Sequence, residues 1–244
     1  PPAPISPVQS SSYPTVLFNA MVKPWTAFPI KGVIWYQGEA NVGRSEQYGD
    51  LFPALITDWR RQWRSDFPFY FVQLANFMES KKIQPDSEWA ALREAQTKAL
   101  KLDQVGMAVT IDIGLADDIH PKNKQEVGRR LALVALAGSY GKNVSSSAPV
   151  FQNYIIKGNK MELDFGQKQD GFQIKGTTLK GFTIAGPDRV FYPAEAMVHD
   201  GKIILSSTEV PAPLAARYGW ADNPDCNLYG ENGLPVAPFR TDCW

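Results

Sequence analysis

Apolar positions recur at helical spacing over residues 45–63. Tyr48, Leu51, Phe52, Leu55, Ile56, Trp59 and Trp63 share one face, which predicts an amphipathic helix with Ser45 at its start. Pro53 lies inside this pattern, so the helix either begins or kinks there. Residues 88–102, dense in Ala, Leu, Glu and Lys, predict a second helix. Residues 124–137, with Val127, Leu131 and Val134 on one face, predict a third. A shorter helix is expected over 13–22, with Val16, Leu17, Ala20 and Met21 on one face and Ser12 as its cap. Unbroken apolar runs at 28–37, 67–74 and 107–113 predict buried strands. Strands alternating with helices predict an α/β fold with a parallel, doubly wound sheet. In such a sheet the chemistry sits beyond the carboxyl ends of the strands, here the loops 37–43 and 114–122.

The pattern changes after residue 147. Short apolar runs at 151–156, 161–165, 182–185, 191–198 and 202–206 are separated by Gly, Asp and Asn, and His199-Asp200-Gly201 predicts a hairpin turn. The expected division is an α/β unit over 1–147, a small all-β module over 148–208, and an ordered C-terminal tail without clear periodicity over 209–244. Residues 1–12, rich in Pro and Ser, are expected as a linker or an arriving loop.

Composition narrows the function. The 244 residues are 44% hydrophobic and 12% aromatic, enough to build a core. Twenty-five basic residues balance 25 acidic ones, which removes the electrostatic footprint of a nucleic-acid binder. The longest apolar run, 131–137, falls far short of the roughly 18 residues of a membrane span. A structural zinc site takes four Cys or His ligands and would need both Cys and both His of the chain, scattered at 120, 199, 226 and 243, to converge, so no metal or cofactor is expected. Cys226 and Cys243 have sixteen residues between them and are expected to form a disulfide, worth about 3 kcal/mol in the loop-entropy account; the alternative is two free thiols.

Candidate chemistry gathers on the two loops. His120 follows the third predicted strand and precedes Pro121, which holds it ahead of the next helix. A carboxylate on one imidazole nitrogen would leave the other as a general base; either Asp117 or Asp118 can supply it, and only the spacing of three residues favours Asp117. The plainer role for these residues is capping the helix that starts near Lys122. His199 reads as an exposed turn residue. On the first loop, the Gln37 side-chain amide and the Gly38 N–H can donate to a developing oxyanion, with Glu39 holding the loop. A nucleophile on a supporting turn is missing. Ala137-Gly138-Ser139-Tyr140-Gly141 comes nearest to a Gly-x-Ser-x-Gly elbow, but it lies where a helix is expected to end; Ser10–Ser12 and Ser145–Ser147 have no supporting turn.

Several stretches together resemble the sialate O-acetylesterase family of the SGNH-hydrolase superfamily. They are residues 31–41 (KGVIWYQGEAN), Glu46-Gln47-Tyr48 with 51–56 (LFPALI), 69–75 (FYFVQLA), 118–124 (DIHPKNK), and Gly233-Leu234-Pro235 through Pro238-Phe239-Arg240-Thr241-Asp242. The resemblance implies a flavodoxin-like SGNH-hydrolase three-layer sheet and metal-independent ester hydrolysis through an acyl-serine. His120 would be the base, Asp117 or Asp118 its orienter, and Gln37 an oxyanion donor. The family's nucleophile block, of the Gly-Gln-Ser-Asn type, precedes the Gln-Gly-Glu block and does not occur in this sequence. The implied reading is therefore an incomplete, C-terminal portion. Its partners would be an O-acetylated carbohydrate and a missing N-terminal segment, or a second polypeptide, bearing the serine. Export is usual in the family, so a secreted, periplasmic or lysosomal-type location is implied. The rival expectation is a non-catalytic carbohydrate-binding or scaffolding protein.

Overall fold

A computed structural model describes residues 13–166 and 171–244. The expected linker, with Ser10–Ser12, lies outside the described residues.

The α/β unit is built on three parallel strands in the order β1-β2-β3: β1 (Val33–Trp35), β2 (Phe69–Val72) and β3 (Val105–Ala108). Trp35 pairs with Phe71, and Phe71 with Met107. Three helices follow the strands: α1 (Ser45–Trp63), α2 (Glu88–Thr97, continued by a 3-10 turn over Lys98–Lys101) and α3 (Lys124–Gly138). Alternation along β2 sends Phe69 and Phe71 toward α1 and α2, where they join Tyr48, Phe52, Ile56, Trp89 and Leu92. The Phe52 ring lies 5.1 Å from Phe71 and 6.4 Å from Trp35, contacts each worth about 0.5–1.5 kcal/mol beyond their burial. Tyr70 points to the opposite face and meets the end of α3.

The elements depart from the sequence pattern at informative places. Pro53 neither starts nor breaks α1, which runs through it, and Arg44 rather than Ser45 is the N-cap. The first strand is much shorter than the run 28–37, and Ile34 at its centre is 70% exposed instead of buried. Among the described residues β1 pairs on one edge only, and α3 packs over β2 and β3, leaving Ile34 uncovered. The third strand ends at Ala108 because β2, its partner, ends at Val72. Leu17 and Met21, expected to face a core, are exposed on a short helical turn.

The second half is all-β. Its strands are β4 (Asn153–Lys157), β5 (Lys160–Asp164), β6 (Phe172–Ile174), β7 (Phe182–Ala185), β8 (Phe191–Pro193), β9 (Glu195–His199), β10 (Lys202–Ser206), β11 (Ala215–Tyr218), β12 (Leu228–Gly230) and β13 (Phe239–Arg240). They form antiparallel sheets in the orders β4-β5-β10-β9 and β13-β11-β7-β8, with β12-β6 as a two-stranded ladder. One core joins Met161, Leu163, Ile203 and Leu205 of the first sheet to Phe182, Ile184 and Tyr218 of the second. The hairpin turn falls where expected, with Asp200 and Gly201 both at positive φ. The run 191–198 splits at Ala194, since β8 and β9 belong to different sheets. Residues 209–244 hold regular elements as well. They contribute β11, β12 and β13, whose mixed Arg, Tyr and Gly content hid them from a period-2 search.

Cys226 and Cys243 are both free, which corrects the expected disulfide. The Cys226 sulfur packs against Gly181 and Gly219, and burial pushes its thiol up to about 12, while Cys243 is exposed beyond β13.

The two halves are joined by arginines. Arg93 of α2 is fully buried and donates to the carbonyls of Leu74, Ala75, Ala221 and Asp222 at 2.7–3.1 Å. Arg240 of β13 makes a bidentate pair with Glu94 of α2. Asp112, past the end of β3, is a bidentate partner of Arg130 and accepts from the Tyr229 hydroxyl.

Candidate active site

The loops after β1 and β3 meet in one cleft of about 370 Å³. Tyr36, Gln37 and Glu39 line one side, and His120, Pro121 and Lys124 the other. The first loop turns at Gly38, whose φ is +156° and whose missing side chain leaves room for Leu74 and Gln96. Glu39–Asn41 then form a 3-10 turn. The second loop is docked through the Gly114 N–H, which donates to Asn76 Oδ1 at 2.7 Å, and through a bridge between Phe77 and Leu115. A Cβ at Gly114 would run into Asn76.

Gln37 is held from three sides. Its Nε2 donates to Asn41 Oδ1 at 2.8 Å, its Oε1 lies 3.2 Å from the Tyr48 hydroxyl, and its backbone carbonyl accepts from Gln96 Nε2 at 3.3 Å. The amide nitrogen carries a second N–H beyond the one given to Asn41. Gly38 is buried beneath this turn, and Glu39 sits half-buried at the cleft wall.

His120 stands on the rim with its side chain 85% exposed, and among the described residues its imidazole makes no hydrogen bond. Asp118 accepts the His120 backbone N–H at 2.9 Å, and the same oxygen lies 3.7 Å from Nδ1. Asp117 is exposed and does not line the cleft. Asp118 is thus the carboxylate near the imidazole, at ion-pair rather than hydrogen-bonding distance.

Lys124 holds its ammonium 4.8 Å from the Tyr36 ring centre. Among the described residues the Tyr36 hydroxyl is buried without a partner, and burial, reinforced by Glu39, pushes it up to about 12. Among the described residues no three His, Cys, Asp or Glu side chains converge as a metal site would require.

The serines weighed from the sequence lie elsewhere. Ser139 Oγ is 2.8 Å from the Tyr70 hydroxyl, just past the end of α3. His120 precedes the start of that 15-residue helix, which is about 22 Å long. Ser145 Oγ accepts from Asn232. His199 lies on the exposed hairpin.

Sequence reasoning missed Asn41, Tyr48 and Gln96 as supports of Gln37. A signal existed for Gln96: with Arg93 it places polar groups three residues apart on the otherwise apolar core face of α2.

The profile of the family "Carbohydrate esterase, sialic acid-specific acetylesterase" matches residues 7–137. The sialate O-acetylesterase of Homo sapiens is 32% identical over 266 residues, covering 97% of this chain and 50% of the relative. That of Rattus norvegicus is 29% identical over 270 residues, covering 97% and 48%. A solved carbohydrate acetylesterase from Xanthomonas citri superposes with a TM-score of 0.90 at 46% identity, covering 95% of this chain and 55% of that one. The chain spans about half the length of the curated relatives it matches.

Proposed function

The chain belongs to the sialic acid-specific acetylesterase family of carbohydrate esterases, and from that premise we propose that it is the base-bearing portion of a carbohydrate O-acetylesterase. The observation that carries this reading is the single cleft shared by His120 and Gln37. A serine from a segment outside this chain attacks the acetyl carbonyl. His120 takes its proton and returns it to the departing sugar alkoxide, and water then deacylates the serine through the same base. Asp118 steadies the imidazole and the charge it gains. The free N–H of Gln37, with the Gly38 N–H beside it, donates to the tetrahedral oxyanion. No step calls on a metal.

The place for the serine-bearing segment is the β1 side of the sheet, in what would be an SGNH-type three-layer fold. Three features support it: the edge of β1 that is unpaired among the described residues, the exposed Ile34, and the exposed apolar side chains Leu17, Met21, Trp25 and Phe28. Phe28 is tied to α1 by Trp63 Nε1, which donates to its carbonyl at 3.1 Å. The substrate class is an acetylated sugar, after the family. Export is proposed on the family alone, because the two cysteines are free.

The test is labelling with a serine-reactive fluorophosphonate, followed by peptide mass spectrometry. The proposal expects the label on a serine of the added segment and none on this chain. A label on Ser139 or another serine of this chain would overturn it. Sugar binding without labelling or turnover, even with the segment present, would favour a carbohydrate-binding role.

A further inference from the structure

We propose that Tyr48 is a positioning residue that fixes which way round the Gln37 amide sits, so that an N–H and not the oxygen faces the cleft. The inference rests on the reading of Gln37 as the oxyanion donor and deepens it. An amide flipped by half a turn presents an acceptor to the oxyanion and repels it, so the orientation decides whether Gln37 helps or hinders.

Amide orientation follows from the hydrogen-bond network, and here the network starts from a group that cannot flip. The Leu74 backbone N–H donates to Gln96 Oε1 at 2.9 Å. Gln96 Nε2 is therefore fixed as a donor, and it reaches the carbonyls of Val72 and Gln37, each at 3.3 Å. Gln96 is fully buried, so no water competes for either end.

The Tyr48 hydroxyl faces two oxygens of Gln37, Oε1 at 3.2 Å and the backbone carbonyl at 3.3 Å. The carbonyl is already served by Gln96 Nε2. The phenol proton is left for Oε1. Oε1 turned to Tyr48 puts Nε2 on the far side, where one N–H goes to Asn41 Oδ1. Asn41 cannot set the orientation by itself, because its own amide offers an oxygen or a nitrogen equally well. Tyr48 can, because its proton is already directed. The residue is itself held firmly: it is buried in the first turn of α1, its ring 5.4 Å from Phe52.

The experiment is a double-mutant cycle on acetate release, with the serine-bearing segment supplied, between Tyr48→Phe and Gln37→Ala. Gln37→Ala alone should lower kcat about 100-fold, as loss of one oxyanion donor does. Tyr48→Phe alone should lower kcat about tenfold with KM within about twofold, since the substrate's resting contacts are kept. In the Gln37→Ala background Tyr48→Phe should change kcat by less than about twofold, because its only route to the reaction is gone. Equal losses in both backgrounds, or no loss in either, would overturn the proposal while leaving Gln37 as a donor. Full activity in Gln37→Ala would remove the donor reading and the positioning role with it. A second readout needs only this chain. In the NMR spectrum the Gln37 side-chain amide protons should give one pair of resonances, with cross-peaks to Asn41 and none to the Tyr48 ring. Tyr48→Phe should split or broaden that pair, and an unchanged pair would contradict the proposal.

Discussion

His120 and Asp118 show how far a short motif can be read. The loop, the histidine and its place beyond a strand were legible, because Pro121 and the flanking periodicities fix them. The choice between the two aspartates was not, because it depends on a turn: Asp118 caps the His120 backbone N–H and so carries its carboxylate to Nδ1. His120→Ala should lower acetate release at least about 100-fold, the scale of a general base, with the melting temperature unchanged because the side chain is exposed. Asp118→Asn keeps the backbone cap and loses the charge; kcat should fall at least about tenfold, whereas Asp117→Asn should stay within about twofold. Kinetics on the two variants decide between them, and the reverse ranking would reassign the orienter. The cysteines misled the sequence reading, since spacing says nothing of which way a side chain points. Thiol titration of the native protein should find Cys243 reacting at once and Cys226, half-buried with its sulfur against Gly181 and Gly219 and its thiol pushed up to about 12, reacting far more slowly until the protein unfolds.

Helices were legible as elements because their amphipathic period survives local exceptions such as Pro53. Strand lengths were not, because a strand lasts only as long as its neighbour; β1 and β3 both stop where pairing with β2 stops. The strands β11 to β13 were hidden for a related reason. Their buried polar groups, such as Arg217 paired with Asp242 at 2.7–2.9 Å, look like surface residues in a one-dimensional pattern. At Gly106 a Cβ would press on Val134 and Tyr70, so Gly106→Ala should cost about 1–3 kcal/mol by urea unfolding. Glu126, near the start of α3, has its carboxyl held down to about 2 by the hydrogen bond from Arg129 and then by Arg130. A depressed folded-state pKa contributes stability that is full above the ordinary value of 4.5 and is lost as pH falls toward 2. The stability difference between the wild type and Glu126→Gln should therefore be constant near neutrality and shrink between those values. A difference that is flat down to pH 2 would contradict the assignment.

At the scale of the molecule, two units with separate cores are made one by buried arginines. Arg93 satisfies four carbonyls drawn from both halves, at the end of β2 and in the turn after β11. Arg93→Met should cost at least about 3 kcal/mol, because those carbonyls stay buried without donors. A fall in stability with a single unfolding transition would show that the halves unfold together. The same clamp anchors α2, whose Gln96 holds Gln37, so the β-sheet half supports the cleft without lining it. Among the described residues β1 has an unpaired edge, and Ile34 at its centre is exposed. In the proposed function His120 serves a serine borne by another segment. The test is acetate release from an O-acetylated sugar by this chain alone, by the chain with the serine-bearing segment, and by that pair carrying His120→Ala. Turnover is expected only in the second case. Turnover by the chain alone, or turnover that survives His120→Ala, would contradict it.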